Sequence, residues 1–557
     1  MEKRFILFLV LSFTIMMAYP YVVEKLGLVP SSPGLGQPEK AAEKQDFAQP
    51  PSGVVGAKPL AIPVSPREEQ TIQINTPLYH AGFSSRGGKL VVFELKKYTG
   101  LDRKTPIKLY QEGAGAPPAF SIQTPDAGLN ERMDRGLYTV DGHDLTLDEQ
   151  NKTGTVAFRF QDPDTGIRVS KRVSFWSDSY RIGLDIETEG VPDRYLFSIG
   201  RNFGITDWGQ KRGFVGFVGP VTDIGGELVK DNPAKMEKEV RHEGPIAWTA
   251  LQDKYFIAAA ITTGAGAAVV SRLSPVSVNT ELEFKSAGAG PAINHLLLYT
   301  GPKEHQRLKA LGVGLEETVD FGWFIYGSWA IVRWIARPLF YILQFLHGFT
   351  GNYGVSIVLL TVGVRVLFIP LTHKSYRSMR AMQALQPQLQ ALQKKYKEDR
   401  QRLQREMMEL YQKNKVNPVG GCLPMILQIP VFVALFNVLY TTIELRQAPF
   451  ILWIHDLADK DPYFVLPIIM GFTMLIQQKM QPTTMDPTQA KIFLMMPVLM
   501  TFLFLNFPTG LVLYMITNNV LTVSQQYFTM KYFETKHEKE SGKKEPGKTP
   551  AAGPEKS

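Results

Sequence analysis

The sequence predicts a polytopic α-helical membrane protein with six transmembrane helices, joined to an exported all-β domain of the sandwich type. Three observations support this fold class: an uncharged apolar run near the N-terminus, a long segment of short alternating strands, and five further apolar runs beyond residue 350. The 557 residues amount to more than one domain. The mean hydropathy is near zero only because a polar part is averaged with a very apolar one.

The composition excludes several classes of function. Lys and Arg number 61 against 52 Asp and Glu, and a net charge of +9 over so long a chain is too weak to indicate a nucleic-acid-binding protein. Cys422 is the single cysteine, so the chain has neither an intramolecular disulfide framework nor a CxxC motif.

The first element is an uncharged apolar run at residues 5–23, close to the roughly 20 residues that a membrane span needs. A cleaved signal peptide is the alternative, but the run is long for one and ends without a clear Ala-x-Ala site. We therefore predict a signal-anchor transmembrane helix at 1–24. Residues 25–69 carry eight prolines and are predicted to be a disordered linker.

Residues 70–312 are predicted to form the exported β-sandwich domain. Residues 155–160 and 167–175 alternate apolar and polar side chains, and the turn residues of 162–166 separate them. The segment has no Walker loop, GxSxG or HExxH motif, and its histidines are scattered. We expect a non-catalytic domain.

The region 313–350 is crowded with aromatic residues and is long enough to contain a span. Arg333 and Arg337 lie near its middle, and a central arginine in a span costs about 2.5–3.5 kcal/mol. Aromatic-rich amphipathic helices prefer the membrane interface, so we predict an interfacial helix on the outer surface.

The region 351–530 is dominated by apolar runs, which we predict to be five spans. They are residues 353–371, 423–443, 463–478, 492–507 and 509–530. The third and fourth have only 16 residues, about 24 Å of helix, and short helices thin the bilayer. We expect that such thinning would ease the passage of a polar segment.

The distribution of Lys and Arg gives the topology. Residues 373–415 hold eleven basic and four acidic residues, and the tail 531–557 holds seven lysines, so both are predicted to be cytoplasmic. The loop 444–462 has two basic residues and is predicted to be external. Both termini are then inside, and residues 25–350 are outside.

The cytoplasmic segment 373–415 is predicted to be a helical hairpin. Apolar residues recur at steps of three or four on either side of a break near Lys397, and Pro387 should kink the first helix. A basic, Met-bearing hairpin beside a membrane is suited to docking a partner, although a plain solvated loop would show the same pattern.

Arg365 is the strongest candidate for a functional residue, because an ionisable group within a span indicates function unless it snorkels to the interface. Polar residues at similar predicted depth accompany it. They are Thr361, Gln428, Tyr514, Asn518, Thr522 and Gln525. A hydrated groove open to the cytoplasm would satisfy all of them, and ordinary hydrogen bonding between helices is the alternative.

The predicted spans contain no His, Asp or Glu, which argues against a proton relay or an intramembrane protease. We expect no catalytic residue, metal or cofactor. The residues alone leave two uses for Arg365, reception of polar peptide segments or a small-anion channel or carrier. A carrier would usually show inverted repeats, which we do not find.

Several short motifs lie between residues 320 and 530. They are Thr361-Val-Gly-Val-Arg365, Pro370-Leu-Thr, Ser378-Met, Leu385-Gln-Pro, Glu406-Met-Met-Glu-Leu-Tyr, Asn417-Pro-Val-Gly-Gly-Cys-Leu-Pro and Gly510-Leu-Val-Leu-Tyr. With these motifs the region resembles the YidC/Oxa1/Alb3 family of membrane protein insertases. The large exported domain resembles the Gram-negative YidC form, in which that domain is periplasmic.

The resemblance implies a five-helix insertase core with a cytoplasm-facing hydrophilic groove that contains Arg365. Thr361 matches a groove position, and Tyr514 and Met515 stand where the family often has two adjacent aromatics, of which the second is a substrate-contacting position and is not aromatic here. The resemblance also implies a bacterial inner-membrane location and a role as insertase and chaperone. The implied partners are nascent membrane proteins, the ribosome, the Sec translocon, the signal-recognition machinery and membrane lipids.

Overall fold

The computed structural model describes residues 68–541, except residues 101, 113–116, 192, 207–216, 288–289, 322–329, 397–398, 415, 417–422 and 481–486. The predicted signal-anchor helix, almost all of the predicted linker and the end of the basic tail lie outside the described residues. The chain divides into two compact units between residues 320 and 321. We call them the β-unit and the helical unit.

The described part of the β-unit contains nineteen strands, two short α-helices and a 3-10 helix at Leu315–Thr318. The first strands are β1 (Thr71–Asn75), β2 (Tyr79–Ser84), β3 (Lys89–Thr99), β4 (Pro106–Gln111), β5 (Ile122–Gln123), β6 (Thr139–Asp141), β7 (Leu145–Thr146), β8 (Thr153–Gln161), β9 (Arg168–Trp176) and β10 (Arg181–Glu189). The others are β11 (Arg194–Ser198), β12 (Gly219–Ile224), β13 (Glu227–Lys230), β14 (Glu239–Glu243), β15 (Ile246–Gln252), β16 (Phe256–Thr262), β17 (Ala267–Ser274), β18 (Ser277–Lys285) and β19 (Ala292–Pro302). The helices are α1 (Ala127–Arg135) and α2 (His305–Lys309).

The strands form three sheets. Their orders are β4-β3-β2-β1-β7, β13-β12-β15-β16-β19-β10-β9-β8-β6 and β14-β17-β18-β11-β5. The two five-stranded sheets pack on different halves of the nine-stranded one. Phe83 of β2 contacts Phe158 of β8 with ring centroids 6.0 Å apart, and Thr249 of β15 bonds Thr280 of β18 at 2.8 Å. The predicted sandwich architecture is confirmed, and its pairing is antiparallel except between β1 and β7.

Strands β8 and β9 show why the alternating runs form strands. Val156, Phe158 and Phe160 point to the core from β8, whereas Thr155 and Arg159 at alternate positions are exposed or half-buried. The predicted turn at 162–166 joins the two strands, and the Asp162 carboxylate accepts hydrogen bonds from Thr165 and Arg132. This part of the sequence-based prediction is confirmed.

The described part of the helical unit contains eight α-helices. They are α3 (Ala330–Thr350), α4 (Tyr353–Ala384), α5 (Gln386–Lys395), α6 (Arg400–Lys413), α7 (Leu423–Thr441), α8 (Val465–Met480), α9 (Pro487–Phe504) and α10 (Thr509–Ser541). Among the described residues only α4 is long and apolar enough to cross a bilayer by length and composition. Shorter apolar helical stretches are Gln428–Thr441, Val465–Met480 and Leu494–Phe504. The count of six spans therefore stays a prediction.

Helix α3 is two-faced, in the region predicted to be interfacial. Val332, Ala336 and Leu343 are buried on the face that packs against α4 and α7. Trp334 and Phe345 are exposed on another face. An exposed aromatic face is typical of a helix in contact with lipid, which is consistent with the interfacial prediction without testing it.

Helices α5 and α6 form the predicted hairpin, and the predicted break lies between them. Pro387 lies in the first turn of α5, where a proline is tolerated, and a small core of Leu385, Leu389 and Tyr411 closes the hairpin. The hairpin was expected to begin at residue 373, but α4 continues without interruption to Ala384. No glycine or proline lies between Pro370 and Pro387, so the first part of the expected arm continues α4 and only its remainder forms α5.

Candidate functional site

The guanidinium of Arg365 on α4 is held by two residues of α10. Its Nε and Nη2 donate to Asn518 Oδ1 at 2.9 and 2.6 Å, and Nη2 also donates to Thr522 Oγ1 at 2.6 Å. Arg365 and Asn518 are half-buried, and Thr522 is buried. The spacing of four residues places Asn518 and Thr522 on one face of α10, one turn apart. The structure therefore brings together three of the predicted groove residues.

Neutral hydrogen-bond acceptors hold the charged guanidinium of Arg365 in one orientation. The Thr522 hydroxyl donates its proton to the backbone carbonyl of Asn518 at 2.6 Å. Its oxygen therefore accepts the hydrogen bond from Arg365 through a lone pair. An amide oxygen and a hydroxyl oxygen carry no net charge. These bonds consequently fix the guanidinium in position without neutralising it.

A second pair of predicted residues lies about one helical turn along α10 from this cluster. Gln428 of α7 donates from Nε2 to the Tyr514 hydroxyl at 3.0 Å, and Phe432 stacks on the Tyr514 ring at a centroid distance of 6.3 Å. Tyr514 is only 2% exposed. Four residues of helix rise by about 6 Å, so this pair forms a separate layer beside the Arg365 cluster.

The other predicted site residues are placed less specifically. Thr361 is buried, and its hydroxyl donates to the Ile357 carbonyl of its own helix at 2.6 Å, which satisfies it locally. Met515 and Gln525 are half-buried on α10. Within the described part of the chain, no hydrogen bond joins Gln525 to the other predicted groove residues.

Two polar residues of α10 that the sequence reasoning missed bind a different helix. Asn519 donates to Thr473 Oγ1 of α8 at 3.1 Å, and Gln526 donates to the Met480 carbonyl at 2.5 Å. Both asparagine and glutamine are buried. The signal was present in the sequence, because Asn519 and Gln526 are seven residues apart and so share a face.

The site holds a cation, amides and hydroxyls, which suit the transient binding of polar or acidic groups. In the described ranges no group of three or more His, Cys, Asp or Glu is arranged to bind a metal ion.

Two family models match the chain. The model described as YidC periplasmic domain matches residues 71–342, and the model described as 60Kd inner membrane protein matches residues 345–537. A "Membrane protein insertase YidC" of Syntrophus aciditrophicus is 38% identical over 551 residues, which are 95% of this chain and 100% of the relative. The chain belongs to the YidC family. The family predicted from the motifs is therefore confirmed, in the form that has a periplasmic domain.

A second curated relative and a solved structure also match the chain. The YidC insertase of Geotalea daltonii is 38% identical over 552 residues, 95% of this chain and 99% of the relative. A solved structure titled "Active YidC insertase crystal structure with the first transmembrane domain resolved" aligns at 19% identity and a TM-score of 0.37, over 83% of this chain and 94% of that one. YidC proteins are inner-membrane proteins, and the family is not an enzyme class.

Proposed function

We propose that the chain inserts inner-membrane proteins and helps them fold, alone or with the Sec translocon, through a groove around Arg365 that opens to the cytoplasm. The observation that carries the proposal is the fixing of Arg365 by Asn518 and Thr522 in a chain of the insertase family. Membership supports the general activity, and the contacts of the cluster support the proposed role of Arg365.

The Arg365 cluster would receive the polar flank of a nascent membrane helix. A carboxylate or peptide carbonyl that enters lipid loses hydrogen bonds to water, which costs several kcal/mol for an unsatisfied group. A guanidinium already oriented within the membrane replaces part of that hydration. Arg365 therefore lowers the barrier to entry, and it needs neither a nucleotide nor a metal for this.

The apolar part of the arriving helix would then move into lipid along the outer surface of the bundle. Helix α9 exposes Met495, Val498 and Phe502, and α7 exposes Ile429. Lipid tails are as apolar as these side chains, so an apolar helix has little to lose when it leaves this surface for lipid. We propose that α7 and α9 form this path.

The proposed orientation rests on charge, and the proposed partners rest on membership of the family. The hairpin of α5 and α6, with its excess of basic residues, would lie on the cytoplasmic side and meet the ribosome and the signal-recognition machinery. Both termini would be cytoplasmic, and residues 25–350 would be periplasmic.

Reconstitution tests the proposal directly. Purified chain in liposomes is given a small single-span substrate with an acidic tail, and insertion is read as protease protection of the tail. We expect Arg365→Ala to reduce insertion by about tenfold, the effect of roughly 1.4 kcal/mol. Arg365→Lys should lose part of the activity, because an ammonium cannot reproduce the two-nitrogen contact with Asn518.

Arg172→Ala, which removes an exposed arginine of β9, is the matched control and should insert normally. Full insertion by Arg365→Ala would contradict the role of the cluster. Flux of a small anion without insertion would favour the alternative function, an anion channel or carrier.

A further inference from the structure

The loop between α7 and α8 contains unusual backbone. In the helical unit, the non-glycine residues with positive φ among those described are Gln447, Leu452 and Phe464, at +59°, +55° and +57°, and all three lie in this loop. Each such residue costs about 1–3 kcal/mol and persists only where the surroundings enforce it. Leu452 is in addition 76% exposed, so both its backbone and its side chain are in an unfavourable state in water.

The loop is held in this conformation by its own hydrogen bonds. Phe450 N–H donates to the Ile454 carbonyl at 2.9 Å, and Ile454 N–H donates to the Ile451 carbonyl at 3.1 Å, which closes a tight turn around Leu452. The base of the loop is tied to the start of α10, where Thr509 N–H donates to the Asp459 carbonyl at 2.7 Å. These hydrogen bonds therefore hold Leu452 in its exposed position.

Aromatic residues extend this exposed surface. Trp453 lies next to Tyr463 with ring centroids 6.5 Å apart, and its indole N–H donates to Asp461 Oδ1 at 3.0 Å. Ile451 and Tyr463 are 53% and 67% exposed. We call Ile451, Leu452, Trp453 and Tyr463 the apolar tip.

The apolar tip is continuous with an exposed stripe of α8. Phe464, immediately before the helix, is exposed, and Ile468, Phe472 and Ile476 of α8 follow at intervals of four residues and are also exposed. Such spacing places them along one side of the helix, and α8 belongs to the predicted spans. A stripe of this kind faces acyl chains. Because the tip adjoins the stripe, the surroundings of the tip adjoin the same lipid.

We propose that the apolar tip is inserted into the boundary between headgroups and acyl chains of the outer leaflet and fixes the depth of α8 in the membrane. Trp and Tyr prefer this boundary, because their rings have an apolar body and a polar atom. Asp461 is buried and accepts the backbone N–H groups of Tyr463 and Leu466 at the start of α8, which joins the tip to the helix. The inference rests on the external placement of the loop under the proposed function.

The anchor has a consequence for the short helix α8. Its 16 residues span about 24 Å, against roughly 30 Å of hydrocarbon. When the outer end is fixed at the lipid boundary, the mismatch falls on the inner leaflet. That is the side from which the Arg365 groove would admit its substrate.

Depth-dependent fluorescence quenching tests the anchor. In a Cys422→Ser background, Leu452→Cys and Ile451→Cys are labelled with bimane, and the chain is reconstituted in phosphatidylethanolamine–phosphatidylglycerol vesicles. We expect lipids with a nitroxide at carbon 5 to quench both probes more than lipids with a nitroxide at carbon 12. Aqueous iodide should quench them at least threefold less than a probe at Lys460→Cys, which is an exposed position on the same loop.

Iodide quenching at residues 451 and 452 that equals that at residue 460 would overturn the proposal, because the tip would then lie in water or be available to a soluble partner. Strongest quenching by the carbon-12 lipid would overturn it as well, because the tip would be in the hydrocarbon core. The measurement needs no insertion activity. A failure of the Arg365 role and a failure of the anchor are therefore distinguishable.

Discussion

Lys171 shows how one residue can make a domain sensitive to pH. Its ammonium is buried in the β-unit and donates to the carbonyls of Gly87, Gly88 and Phe120 at 2.9, 3.1 and 2.8 Å. Burial lowers the pKa of Lys171 to about 7, although the carboxylate of Asp134 acts in the opposite direction. The sequence pattern contains this feature, since Lys171 alternates with Val169 and Val173 on the core face of β9.

The lowered pKa gives a prediction with a definite sign. Between about pH 7 and the ordinary lysine value near 10.5, the unfolded chain binds a proton at Lys171 that the folded chain does not. The free energy of unfolding therefore rises with pH in this window, by about 1.4 kcal/mol per pH unit. This contribution of Lys171 is lost as the pH falls to about 7. Hydrogen exchange of the β8 and β9 amides in the full chain, corrected for intrinsic rates, measures it.

The variant Lys171→Met should remove this contribution to the pH dependence. It should also lower the free energy of unfolding by about 1–3 kcal/mol at high pH, because the carbonyls that accept the two N–H groups of the neutral amine lose their donor. Lys285→Met removes an exposed lysine of β18 and should keep the pH dependence of the native chain. An unchanged slope in Lys171→Met would show that the buried amine does not titrate in this range.

At the scale of an element, two faces of α10 bind two different helices. Asn518 and Thr522 bind Arg365 of α4, whereas Asn519 and Gln526 bind α8. Neighbouring residues of a helix are rotated by 100°, so a step of one residue changes the partner helix. The groove face and the packing face can accordingly be perturbed independently.

Asn518→Asp is the variant that distinguishes charge from geometry. The carboxylate keeps an oxygen where the Asn518 amide oxygen lies, but it pairs with Arg365 and cancels its positive charge. We expect insertion of a substrate with an acidic tail to fall about as far as in Arg365→Ala. Insertion that remains at the native level in Asn518→Asp would mean that orientation of the guanidinium matters and its charge does not.

Asn519→Leu is the matched control on the other face of α10. It removes the hydrogen bond to Thr473, which is worth about 0.6 kcal/mol between membrane helices, so melting should occur at a slightly lower temperature while insertion per folded molecule stays constant. Loss of insertion equal to that of Asn518→Asp would instead assign both faces of α10 to the groove.

The polar face of α10 was predictable, and its two-sidedness was not. Spacings of four, four and three selected Tyr514, Asn518, Thr522 and Gln525, and two of these contact Arg365. Spacing alone cannot say which helix faces which residue, because that depends on how the helices pack. The same limit applies to Thr361, whose hydroxyl satisfies its own backbone although its position suggested the groove.

At the scale of the whole molecule, the sequence contains two different apolar patterns. Alternation with period two indicated the strands of the β-unit, and apolar runs indicated the helices, because burial on one face and burial in lipid leave different periodicities. The loop between α7 and α8 was read only through its charges. Its strained turn at Leu452 is produced by hydrogen bonds that no local sequence pattern records.

The last prediction concerns the membrane topology. The positive-inside rule predicts that the β-unit and the hairpin lie on opposite sides of the membrane. Glu187 is exposed on β10 and Gln412 is exposed on α6, so each can be replaced by cysteine in the Cys422→Ser background. In spheroplasts, a membrane-impermeant maleimide should label Glu187→Cys at once and Gln412→Cys only after lysis. The reason is the eleven basic residues of 373–415, which resist translocation. Equal labelling before lysis would place the hairpin outside, and Arg365 could not then serve a groove that opens to the cytoplasm.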